Sequence, residues 1–212
     1  MLNTMLGCAV RTGALARNPM DALETCDKFG KTPSEREFLT VAELNRLAKV
    51  ETGSPITKQT FMFCCFTGLR YSDMVALKWG DIKTTGAGRM LYLPSMQKTK
   101  QLVIVPLSEK ALEWLPEHPA DCKADTKVFA NAPTLSSANR ALKHMARRAD
   151  IRKTNSFHVA RHTFATMTLT AGGDLYTTSR LLGHTNIHST EIYADVVMER
   201  RTQAVNLLNA IF

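Results

Sequence analysis

Between Met90 and Leu107 the chain carries two short runs, MLYLPSM and QLVIVPL, separated by the basic stretch QKTK. Short runs rich in branched and aromatic residues favour extended strands, and so brief a connection joins them as an antiparallel hairpin. Two strands are marginal on their own in water and need a helical layer to rest on. The rest of the sequence supplies that layer. The expected fold is mainly α with a small antiparallel β-sheet, an α+β domain.

Helix punctuation is dense around the hairpin. In LTVAEL, Thr40 and Glu43 have capping-box spacing, with Leu39 and Leu44 placed as a hydrophobic staple. SPITKQTFMFCCFTG has Ser54 as cap, Pro55 at the first helical position and Gly68 as stop. SDMVALKW begins a short helix after the turn that carries Arg70. Ser108 caps EKALEWL, with Leu107 and Leu112 as a second staple. Further helices are expected over 136–148, 157–171, 175–182 and after Asp195, broken at Gly172-Gly173 and Gly183. Residues 1–20 form a helical piece with too little around it to bury its apolar face, residues 21–37 a linker rich in breakers and charge, and residues 38–212 the main domain.

Composition narrows the class. Among 212 residues, 27 Lys and Arg oppose 19 Asp and Glu, a net charge of +8 that favours a polyanionic partner, nucleic acid first. Five cysteines without paired spacing, two of them in the apolar FMFCCF, argue for a reduced cytoplasmic setting over a disulfide framework. No CxxC pair suggests a zinc site. No run reaches membrane-spanning length, and Arg11 and Arg17 interrupt the opening segment, which lacks a cleavage-site pattern.

The residues able to carry chemistry are scattered: Arg70 in TGLRYSD, Lys98 in QKTK, His158 and Arg161 in HVAR, His184 in LLGH, and Tyr193 in EIYAD. Singly, each has an ordinary structural role as a cap, a solvated charge or a half-buried ring. Jointly they are what a pentavalent phosphate needs: arginine forks for its oxygens, further cationic donors, and a hydroxyl nucleophile. His158 and Arg161 lie three apart, on neighbouring positions of a helix surface.

In order and context this set resembles the catalytic signature of the tyrosine recombinases, the phage integrase family. TGLRYSDMVALKWGDI is similar to that family's first box, HVARHTFAT to its second, and LLGHTNIHSTEIYAD to its third, with nine residues from His184 to Tyr193. The likeness spans roughly residues 38–200, and the style of the boxes resembles Bacteroides-type mobile-element integrases. NTMLGCAVRTGALARNP resembles the last helix of the family's core-binding domain, which makes residues 1–20 a C-terminal remnant of that domain.

The resemblance implies the tyrosine recombinase catalytic-domain fold and a metal-independent, cofactor-free reaction. Tyr193 would attack a scissile phosphate to give a 3′-phosphotyrosyl link and a free 5′-hydroxyl. Arg70 and Arg161 would grip the nonbridging oxygens, with Asp73 holding one member of the set. Lys98 would protonate the leaving oxygen, Lys100 being the alternative on the same hairpin. His158 would serve as general base or orient the phosphate, and His184 would donate a hydrogen bond to it. Double-stranded DNA is the implied partner, with four protomers on two sites, the fragment alone monomeric, and an accessory DNA-bending protein as a further partner. The outcome would be integration or excision of a mobile element. Alternatives are a type IB topoisomerase, whose second box has Lys where HVAR has His, and a non-catalytic DNA-binding relative.

Overall fold

The structure is a computed structural model that describes residues 2–22, 37–86, 88–94, 96, 102–153, 156–190 and 193, apart from the side chain of His188. The chain divides into two compact units, Met1–Glu35 and Arg36–Phe212. In the first, helix α1 (Leu2–Arg11) buries none of its residues, and a 3₁₀ turn follows at Pro19–Ala22. Asn18 Nδ2 donates to Asn3 Oδ1 at 2.7 Å within this unit.

The second unit opens on α2 (Val41–Lys49) with the anticipated capping box. The Thr40 hydroxyl accepts from the Glu43 N–H, while Glu43 Oε2 accepts from the Thr40 N–H at 2.7 Å. Leu39 and Leu44, the staple pair, are both buried. Lys153, far along the chain, donates to the same carboxylate oxygen at 2.6 Å and to the Phe38 carbonyl at 2.9 Å. Burial raises the Glu43 pKa, but the hydrogen bonds from Lys153 and Thr40 outweigh it and hold the carboxyl below its ordinary 4.5. A carboxylate with a depressed folded-state pKa contributes stability that is complete above its unfolded value and disappears as pH falls through the folded one. Melting temperature is therefore expected to fall less steeply in Glu43→Gln than in the unaltered protein below about pH 4.5, measured by thermal melts across that range.

Helix α3 (Pro55–Thr67) is the core of the unit. Its buried residues include Thr57, Thr60, Phe61, Met62, Phe63, Cys64 and Cys65, so it is wrapped by other elements on several faces. The Thr60 and Thr67 hydroxyls donate to the carbonyls four residues back, at 2.8 Å each, so these polar groups enter the core satisfied. Burial pushes the Cys64 and Cys65 thiols well above their usual range, and both are free. Ser54 occupies the N-cap position, yet its side chain makes no capping bond. Pro55 at the first turn needs no donor partner there, which removes part of the demand for a cap.

After α4 (Tyr71–Ala76) comes the sheet, β1 (Ile82–Thr85), β2 (Gly88–Leu93) and β3 (Val103–Pro106), antiparallel in the order β1-β2-β3. The two anticipated strands are β2 and β3, with Leu91 opposite Val105. β3 alternates buried and exposed residues. β1 extends the expected hairpin by one strand; its residues are mostly exposed, so no apolar alternation announced it. The QKTK connection and the helix anticipated after Asp195 lie outside the described residues.

Helix α5 (Glu109–Glu113) follows with Ser108 as its cap, then α6 (Leu135–Arg148), α7 (Phe157–Ala171) and α8 (Leu175–Leu182). α6 starts one residue before expectation because the Thr134 side chain caps it. At its far end Arg46 Nε donates to the Ala149 carbonyl at 2.9 Å, neutralising a helix C-terminus from α2. α3 and α7 pack together in the core, where Phe61 meets Phe157 edge-on with ring centres 5.6 Å apart. Among the described residues no helix is long and apolar enough to cross a membrane.

Candidate active site

Helix α7 carries the second group of expected site residues. Ser156 leaves its start without a side-chain cap, and Asn139 on α6 supplies the missing acceptor, taking the Phe157 N–H at 2.9 Å. The Leu39 N–H donates to Thr163 Oγ1 at 2.9 Å and ties the entry of α2 to the same helix. With its N-terminal turn pinned by α6 and its middle by the α2 entry, α7 is a rigid platform for the side chains between.

Arg161 projects from this platform into the protein and is only 3% exposed. Its Nη1 donates to the Gly68 carbonyl at 2.9 Å and its Nη2 to the Leu182 carbonyl at 2.5 Å. Those carbonyls belong to the C-terminal ends of α3 and α8, where helix dipoles present negative charge. Gly68 lies two residues before Arg70 and Leu182 two residues before His184. One planar fork thus joins the first and third groups of site residues to the second. Burial, and next the Arg70 guanidinium, lower the Arg161 pKa to about 9, against the upward pull of Tyr193 and Asp73. At neutral pH Arg161 is still a cation, one whose charge the free protein compensates poorly.

Arg70 is the N-cap residue of α4 and is partly buried. Its Nη1 lies 3.7 Å from Asp73 Oδ2, within α4's first turn, and contacts Met96 Sδ at 4.0 Å. Asp73 is thus an ion-pair partner of Arg70. The turn before Arg70 depends on Gly68, which adopts φ +70°. A Cβ there would stand 2.5 Å from Phe164 Cδ1 and 3.1 Å from Leu182 Cδ2. The left-handed backbone and the collision together set the expected cost of Gly68→Ala at about 2–4 kcal/mol, read from chemical denaturation. Gly53→Ala, where a Cβ meets nothing within 4 Å and φ is not positive, is the neutral comparison.

Gly183 has the same function at the end of α8. At φ +61° it brings the backbone so near the sheet that a Cβ would lie 2.5 Å from Met96 Sδ and 2.6 Å from Val103 Cγ2. Met96 therefore touches both Arg70 and the turn before His184, and it is 2% exposed. Lys98 and Lys100 lie outside the described residues, so the structure gives no position for either. The flanking Met96 and Val103 both adjoin the turn that leads into His184.

His184 Nδ1 and Thr190 Oγ1 are 2.8 Å apart, and the Thr190 carbonyl accepts the Tyr193 N–H at 3.1 Å. Thr190 is fully buried and so connects His184 to the tyrosine through two different atoms. Tyr193 is 6% exposed, in a small cluster with Phe164, Ala165, Leu169 and Leu182. Its hydroxyl lies 2.5 Å from Nδ1 of His162, which is also buried. His158 is exposed, at the second position of α7, and its ring stands edge-on to that of His162 with centres 4.4 Å apart. His158 and Arg161 thus differ sharply in burial despite their helical proximity: in the first turn of α7 Phe157, Val159 and Ala160 are buried and His158 alone is exposed.

Contacts and electrostatic coupling therefore connect Arg70, Arg161, His184 and Tyr193, with His158 at the rim beside His162. Sequence reasoning missed two residues of this arrangement, His162 and Thr190. His162 follows Arg161 directly in HVARH, the one local signal available; its partner is 31 residues away.

The chain matches the model of the phage integrase family over residues 37–200 and belongs to that family. It is 28% identical over 255 residues to a XerC-like tyrosine recombinase of Caldanaerobacter subterraneus subsp. tengcongensis, covering all of this chain and 64% of the relative. It is 30% identical over 193 residues to tyrosine recombinase XerC of Xanthomonas axonopodis pv. citri, covering 87% of this chain and 61% of the relative. The chain thus spans somewhat under two thirds of these relatives' length. Among solved structures, the Tn1549 transposon integrase, in complex with a circular intermediate DNA, superposes with a TM-score of 0.66 at 19% identity, covering 93% of this chain and 76% of that one. At that identity the likeness is one of fold.

Proposed function

We propose that this chain is the catalytic part of a site-specific DNA recombinase that cuts and rejoins double-stranded DNA through Tyr193. The observation that carries the reading is Arg161: a buried cation coupled electrostatically to Arg70 and to the tyrosine, and anchored at both ends by backbone carbonyls. Two clustered guanidinium groups repel one another until an anion sits between them, and a phosphodiester supplies the oxygens that a planar fork grips. Tyr193 Oη attacks phosphorus, the P–O5′ bond breaks, and a 3′-phosphotyrosyl ester keeps the bond energy for rejoining. Arg70 and Arg161 hold the nonbridging oxygens, His184 donates a hydrogen bond to them with Thr190 fixing its ring, and His158 orients the phosphate from the rim. Lys98, or Lys100 beside it, protonates the leaving oxygen. The ester conserves the energy of the broken bond, so the cycle needs neither a nucleotide nor a metal.

The DNA in the neighbour's complex and the net charge of +8 support a duplex substrate. Membership of the family favours strand exchange over relaxation alone. Four protomers on two sites, an accessory DNA-bending protein and a mobile element of Bacteroides type complete the reading, with residues 1–20 as part of a core-binding domain and the cytoplasm as the place of action. The test is a suicide duplex, nicked next to the cleavage site and carrying the DNA that flanks the gene. A covalent adduct should form in the presence of a chelator, with peptide mapping placing the DNA on Tyr193. Metal-dependent cleavage without an adduct would overturn the proposal.

A further inference from the structure

The tyrosine hydroxyl lies within hydrogen-bond distance of a residue for which the family signature gave no role. The geometry points to His162 as the group that takes the proton from the attacking Tyr193 hydroxyl, a task the sequence reading left to His158. The inference rests on the proposed strand cleavage.

A general base must lie within hydrogen-bond reach of the proton it removes. His162 Nδ1 is 2.5 Å from Tyr193 Oη, and both side chains are buried, so their separation is maintained by packing. Neutral imidazole accepts at one nitrogen while the other carries the proton. With Nδ1 toward the phenol, a neutral His162 that accepts from it has its proton on Nε2. Among the described residues, the ionisable groups around the pair include His158 and Arg161 on the same helix, the ring of His158 edge-on at 4.4 Å, His184 across from them through Thr190, and Arg70 and Asp73 coupled to Arg161. Arg161 and Tyr193 are electrostatically coupled in the sense that favours negative charge on the phenol oxygen. A bound phosphodiester adds negative charge beside the guanidinium groups, which favours a positive charge on the neighbouring imidazole as the proton arrives.

The step balances. Oη bonds to phosphorus as its proton passes to His162 Nδ1, and the P–O5′ bond breaks as the 5′ oxygen takes a proton from the hairpin lysine. Rejoining runs both transfers backwards: the 5′-hydroxyl returns its proton to the lysine, and the imidazolium reprotonates the departing Tyr193 Oη. The base therefore governs cleavage and rejoining alike.

Two variants separate proton transfer from positioning. Asparagine at 162 offers an acceptor oxygen near the place of Nδ1 and cannot take up the proton at neutral pH; alanine offers neither. On the suicide duplex, His162→Asn and His162→Ala are both expected to slow adduct formation by about 100-fold or more. Rejoining of a trapped adduct by an added 5′-hydroxyl strand should slow by a similar factor, with DNA affinity unchanged. His162→Asn within about threefold of the unaltered protein, or rejoining left at full rate, would overturn the inference. Independently of activity, ¹⁵N spectra of the full chain should show His162 Nδ1 as the unprotonated, hydrogen-bonded nitrogen, with a resonance that moves in Tyr193→Phe. A protonated Nδ1, or one indifferent to that change, would also overturn it and needs no altered residue 162 to fold. An adduct persisting in Tyr193→Phe would strike at the proposed function instead, so the two failures are distinct.

Discussion

Tyr193→Phe is expected to abolish the covalent DNA adduct completely while leaving DNA affinity within about twofold. Attack requires an oxygen already beside the arginine pair, and Tyr193 is electrostatically coupled to Arg161. Phenylalanine keeps the ring in its cluster with Phe164, Leu169 and Leu182, so the fold survives. What is lost is one oxygen and its bond to His162. A single buried hydrogen bond contributes about 0.5–1.5 kcal/mol net, so the variant should unfold at slightly lower denaturant concentration. Activity and stability then respond on different scales, which excludes misfolding as the reason for inactivity. Tyr176→Phe is the matched control. That tyrosine is 65% exposed on α8, and its loss should change neither quantity. Adduct formation by Tyr193→Phe together with its loss in Tyr176→Phe would move the nucleophile to α8.

The parts of the fold that could be read from sequence are those governed by local chemistry. Thr40 and Glu43 satisfy orphan backbone groups within a single turn, so four residues are enough to mark the start of α2. Gly68, Gly172 and Gly183 all end helices in the left-handed conformation that glycine adopts without strain. β1 escaped because its structure comes from pairing with β2 and not from its own composition; IKTT is mostly exposed and has no alternation to detect. Ser54 illustrates the reverse. The residue type suited a cap, and the structure uses the position without the bond.

The site divides along similar lines. Arg70, His158, Arg161, His184 and Tyr193 were found through the order of short boxes, which lie on the chain as units. His162 and Thr190 were not, because their meaning is tertiary. On sequence alone His162 is one more residue of a helix that also buries Val159, Ala160 and Phe164, and only the arrival of Tyr193 gives its Nδ1 a task. Thr190 is likewise an ordinary threonine until His184 is found against its hydroxyl. The pattern of two histidines around one arginine in HVARH also changes meaning. The pair that spacing groups together, His158 and Arg161, is divided between rim and interior, while the adjacent His162 shares the interior with Arg161.

Arg161→Lys should lower the rate of strand cleavage by about 10³-fold and destabilise the fold by about 1–3 kcal/mol. The charge is kept, so a role limited to net positive charge predicts almost no change. The geometry predicts otherwise. Arg161 spans two carbonyls, Gly68 and Leu182, with separate nitrogens, and the remaining donors of the fork are left for an anion. An ammonium group is a single point at the end of a flexible stem and cannot bridge both carbonyls and a phosphate at once. One buried carbonyl then lacks its donor, which is the origin of the stability loss. The ends of α3 and α8 also lose their common tie, and with it the spacing between Arg70 and His184. Cleavage kinetics and denaturation of the same preparation measure the two effects. Full cleavage with reduced stability would limit Arg161 to an architectural clamp, and the phosphate would then have to be held by Arg70 without it.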